Sequence, residues 1–138
     1  MTQSVLILDK DEALCDELAE LLRDIGYQAS SGLDGQEGKR LLLEAREYDL
    51  VLLGLELPKY EESDLLGAIR KRSLRTKVVV LIQANSARAS GWALTDGLLS
   101  KPLVIPALLE KVKELIGQGR RRGLVDKGRV PPNGTGNE

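Results

Sequence analysis

A chain of 138 residues, 42% hydrophobic and 30% charged, has the material for one domain with a substantial core, and its formal net charge of −1 gives no overall pull toward nucleic acid. It holds no histidine and one cysteine, which excludes histidine acid–base chemistry, histidine–metal sites, zinc clusters and intrachain disulfides. No apolar run approaches the roughly 18 residues of a membrane span, and no basic segment at the N-terminus leads into an apolar one, so the expected location is the cytoplasm.

Short apolar runs recur along the chain, each followed by a helical pattern. Val5-Leu6-Ile7-Leu8 reads as a strand ending at Asp9, and Leu14, Leu18, Leu21, Leu22 and Ile25 repeat at helical spacing up to Gly26. Cys15 lies in this stretch and is expected to be a small packing residue. Tyr27 to Ser31 is short and mixed, as an edge strand is. Asp34-Gly35 marks a turn, and Leu41, Leu42 and Ala45 suggest a second helix weakened by Gly38.

Leu50-Val51-Leu52-Leu53 is continuously apolar, which fits a strand covered on both faces. A charged loop is expected next, before Leu65, Leu66 and Ile69 form the face of a third helix. Val78 to Ile82 is the strongest strand signal. The small-residue segment Ala84 to Ala93 has room only for a short fourth helix. Gly97-Leu98-Leu99-Ser100 reads as a fifth strand, and Val104, Leu108, Leu109, Val112, Leu115 and Ile116 as a last helix ending at Gly117.

Five strands alternating with five helices predict an α/β fold: a doubly wound, five-stranded parallel sheet with right-handed crossovers. Functional groups in such folds lie beyond the carboxyl ends of the strands, where strand order reverses. The positions to inspect are Asp9-Lys10-Asp11, Gly54, Gln83 and Lys101. Residues 1–117 form the expected domain, with 15 Lys/Arg against 19 Asp/Glu. Residues 118–138 carry 5 against 2, are rich in Gly, Pro and Asn, and are expected to be a disordered basic tail or linker.

At these positions the sequence resembles the receiver domain of bacterial two-component response regulators, a flavodoxin-like (βα)5 fold. The resemblance covers roughly residues 4–117 and is carried by VLILDKDEAL, DGQEG, YDLVLLGLELP and SKP in that order. It implies an acidic pair for magnesium after the first strand and a phosphate-accepting aspartate at the end of the third. It also implies a switch hydroxyl after the fourth strand and a phosphoryl-contacting lysine after the fifth. A carboxylate nucleophile of that kind works only where a divalent cation and a fixed ammonium neutralise the charge around it.

Placed on this chain, most of that apparatus is missing. Asp9 matches the first acid, but the second is Lys10, which cannot ligate a cation. The acceptor position is Gly54, the switch hydroxyl is Gln83, and the aromatic of the switch is Leu98. Asp9, Pro58 and Lys101-Pro102 are kept. Glu56, two places beyond Gly54, is expected to face solvent rather than accept phosphate, and Asp11 to be a helix N-terminal acid rather than a ligand. Glu62 replaces a usual glycine, so the turn there is expected to differ, and Glu61, Glu62 and Asp64 read as N-terminal acids or else as an acidic patch beside Tyr60.

Without an acidic cluster the pocket charges are expected to pair with one another: Lys101 with Asp9, directly or through water, and Lys10 turned outward or sharing Asp11. Gln83 to Lys101 is 18 residues, about one helical turn fewer than the family usually has, so the fourth-helix region is expected to be shortened. Trp92 in that region either fills lost volume or anchors a partner. The expected protein is a phosphorylation-independent pseudo-receiver, not an enzyme, without metal or cofactor. Its expected partner is a protein of a bacterial regulatory system, bound by a monomer or weak dimer. Two other readings are residual phosphoryl or nucleotide chemistry in the same pocket, which lacks a nucleophile and a glycine-rich phosphate loop, and weak nucleic-acid binding through Arg120-Arg121-Arg122.

Overall fold

The computed structural model describes residues 3–44, 47–54, 59–72, 75–83 and 95–117. Five strands, β1 (Ser4–Leu8), β2 (Gln28–Gly32), β3 (Leu50–Leu53), β4 (Lys77–Gln83) and β5 (Gly97–Lys101), form one sheet in the order β2-β1-β3-β4-β5, with every pairing parallel. Four described helices accompany it: α1 (Glu12–Asp24), α2 (Gly35–Glu44), α3 (Lys59–Arg72) and α4 (Ile105–Ile116). The fourth helix expected from the sequence falls at 84–93, outside the described residues, as do Trp92 and the tail.

Why the sheet is covered on both faces follows from alternation along its central strands. Val5, Ile7, Leu50, Leu52, Val79 and Leu81 point to one side, where they meet Leu18 and Leu22 of α1 and Leu108 and Val112 of α4. Leu6, Leu8, Val51, Leu53, Val78 and Val80 point to the other, against Leu42 of α2 and Leu65 and Ile69 of α3. β3 is buried at every position, so its apolar run has no solvent face to mark with a polar residue. Strand starts are pinned by acids that stand just before the neighbouring strand: Asp49, ahead of β3, accepts from Ser4 N of β1, and Asp96, ahead of β5, accepts from Val78 N of β4, each at 2.8 Å.

Three local expectations need correction, and a fourth gains a physical reason. The stretch from Lys59 to Asp64 is not loop but the first turns of α3, so Glu62 sits inside a helix; Asp64 ion-pairs with Lys39 of α2, which supports those turns without any apolar periodicity. Tyr27 precedes β2 rather than opening it. It is buried, and its hydroxyl donates to Gly117 O at 2.6 Å, tying the end of α4 to the start of β2. Val104 is the N-cap of α4 and exposed rather than part of its inner face. Gly38 does not weaken α2 idly: a Cβ there would stand 2.8 Å from Leu8 Cδ1, so the glycine lets the helix lie close against β1.

Candidate functional site

Strand order reverses between β1 and β3, and the residues that leave these two strands, Asp9 and Gly54, sit side by side at the carboxyl end of the sheet. The backbone fixes both. Asp9 N donates to Gly32 O at 3.1 Å, and Gly54 N donates to Leu8 O at 2.6 Å. Asp9 is 1% exposed, an unusual setting for a carboxylate unless its oxygens are bound. Both are. Oδ1 accepts from Asp11 N at 2.9 Å, and Oδ2 accepts from Lys101 Nζ at 2.6 Å.

Lys101 ends β5, the strand three spacings from β1, with a side chain 17% exposed. Its ammonium reaches across the ends of β4 and β3 to Asp9, the pairing that charge arithmetic on the sequence anticipates. At 2.6 Å this is a charge-assisted hydrogen bond, and with one partner fully buried solvent screens it little. The Lys101–Pro102 peptide bond that follows is cis.

The remaining candidates separate. Lys10 is exposed, and Asp11 is the N-cap of α1, with Oδ1 accepting from Leu14 N at 3.1 Å, so its carboxylate is committed to the helix end. Leu98, in register with Val80 on β4, is 42% exposed on the free edge strand. Gln83 ends β4 opposite Lys101; its side chain lies outside the described residues, and Glu56 and Pro58 do so entirely. Cys15, which position along the chain does not connect to this site, donates through Sγ to Asp9 O at 3.3 Å. Burial, then the neighbouring Asp9 charge, push its thiol up to about 11.

Among the described residues the donor set does not fit a divalent cation. A hard cation seeks several free oxygens, yet both Asp9 oxygens are engaged and Asp11 caps its helix. Gly54 offers no side-chain oxygen, and Lys10 brings a positive charge. Among the described residues no three acidic or sulfur side chains gather to hold a metal.

Comparison with known proteins agrees with this architecture. Residues 5–113 match the Response regulator receiver domain family. The transcriptional regulatory protein PrrA of Mycobacterium leprae is 33% identical over 122 residues, which cover 86% of this chain and 51% of that protein. The chain thus spans about half the length of the curated relatives it matches. Among solved structures, a CheY-like receiver domain protein from Methanospirillum hungatei superposes with a TM-score of 0.72 at 27% identity, covering 83% of this chain and 93% of its own. The response regulator TrrA of Thermotoga maritima, solved with magnesium and beryllofluoride, gives a TM-score of 0.67 at 30% identity, covering 82% and 98%. The fold, with its switch point at Asp9 and Gly54, is that of a receiver domain of two-component signalling. The chain belongs to the response regulator receiver domain family.

Proposed function

We propose that this domain is a pseudo-receiver, which works without phosphorylation as a protein–protein interaction module in a bacterial regulatory system. The observation that carries the reading is the Asp9–Lys101 bond beside a residue with no side chain. Gly54 offers no nucleophile where the family has its acceptor. The ammonium that would meet a phosphoryl group is already held by a buried carboxylate. Paired internally, the pocket charges leave no requirement for a cation to relieve repulsion.

An unphosphorylated module of this kind presents one surface at all times, and recognition of its partner would follow from that surface rather than from a covalent signal. Titrating the protein with magnesium while following the amide chemical shifts of Asp9, Gly54 and Lys101 tests the reading. The expected result is no saturable shift at low millimolar metal. Saturable shifts at all three residues would overturn it.

A further inference from the structure

Gly54 reads from the sequence as a deletion of function, but its surroundings give it a task of its own. Its φ lies outside the left-handed region, so the backbone at this position would accept any L residue. Space is what forbids one. An ideal Cβ would stand 2.9 Å from Asp9 Cγ, 3.4 Å from Asp9 Cβ and closer still to Asp9 Oδ2, where real Cβ contacts essentially never fall under 3.0 Å. All three nearest atoms belong to Asp9; none is backbone or hydrophobic core.

We propose that Gly54 is the seat of an internal clasp. The Asp9 carboxylate lies over Gly54, fills the volume that a side chain there would take, and is locked in place by Lys101, so the pocket is occupied from within. Gly54 and the Asp9–Lys101 bond are therefore one device. Any larger residue at position 54 must push Asp9 aside, and Asp9 cannot move without releasing Lys101, because Oδ2 is the atom they share. Since Lys101 ends the edge strand β5 and Asp9 follows β1, three strands away, the clasp also ties β5 across the sheet to β1. This is a matter of packing, and it holds whether or not the domain ever takes a phosphoryl group. Failure of this proposal is thus distinguishable from failure of the function proposed above.

A double-mutant cycle on the full chain tests it, with Gly54→Ala, Asp9→Ala and the double variant compared by urea unfolding. Gly67→Ala in α3 is the control, since a Cβ there meets nothing within 4 Å. Gly54→Ala is expected to lower the folding equilibrium constant at least tenfold in the wild-type background and less than threefold in the Asp9→Ala background. The Gly67 control should leave it unchanged or raise it. Reaction of Lys101 with an amine-directed reagent, read by peptide mass, is expected to be slow in the wild-type protein and several-fold faster in Gly54→Ala. Should Gly54→Ala alone fail to fold, folding of the double variant supports the clasp. An equal penalty in both backgrounds, no penalty in either, a double variant that fails to fold although Asp9→Ala folds, or unchanged Lys101 reactivity in a folded Gly54→Ala would overturn it.

Discussion

Lys101→Met takes the ammonium away from Asp9 and leaves a carboxylate that is 1% exposed, with the backbone N–H of Asp11 as the partner that stays. Breaking a fully buried ion pair from one side costs about 3–5 kcal/mol; with Lys101 17% exposed, about 2–4 kcal/mol is expected here. Asp9→Asn is the informative contrast. It keeps an oxygen for Asp11 N, and the released lysine swings its charged end toward water, so about 1–2 kcal/mol is expected. The asymmetry is the signature of a clasp with one dry end and one wet end. Urea unfolding of both variants, fitted with a common m-value, measures it. A Lys101→Met variant within about 0.5 kcal/mol of wild type, or an Asp9→Asn variant that costs more than Lys101→Met, would show that the buried carboxylate does not depend on Lys101.

Two further outcomes follow from the same geometry. The Cys15 thiol is raised in the folded state to about 11 from 9.0, so its contribution to stability is fully present below pH 9 and is lost as pH rises toward about 11. Cys15→Ala should flatten that loss relative to wild type in unfolding curves recorded between those limits, and parallel curves for the two proteins would contradict it. Tyr27→Phe removes the 2.6 Å bond from the Tyr27 hydroxyl to Gly117 O and should cost about 1 kcal/mol, with faster amide exchange at Gly117; unchanged exchange would show that the end of α4 is held by other means.

Much of the fold was legible because each layer leaves its own mark in the sequence. The apolar runs of β1, β3 and β4 and the helical spacing of α1 and α4 are direct imprints of burial. The Asp9–Lys101 pair could be anticipated as well, since removing carboxylates from a shared pocket leaves a lysine looking for the one that stays. The first turns of α3 were hidden because residues 59–64 carry no apolar periodicity, and the exposed pair Lys39–Asp64 that joins them to α2 is a contact no local pattern records. Tyr27 misled for a similar reason: β-propensity suggested a strand, but the residue is placed by a carbonyl 90 positions away. Gly54 is the deepest case. Sequence shows what a glycine lacks; only the arrangement of neighbours shows that the room it leaves is filled by Asp9.

On the function proposed above this receiver works without a phosphoryl group, and intact mass after incubation with acetyl phosphate and magnesium measures whether it takes one. The wild-type chain is expected to keep its mass, and so is Gly54→Asp, because Lys10 still stands where the second acid of a metal site is needed and Asp11 stays committed to the start of α1. A phosphoryl adduct on the wild-type protein would contradict the account. An adduct on Gly54→Asp would show that the pocket around position 54 retains more of the family's chemistry than its side chains indicate.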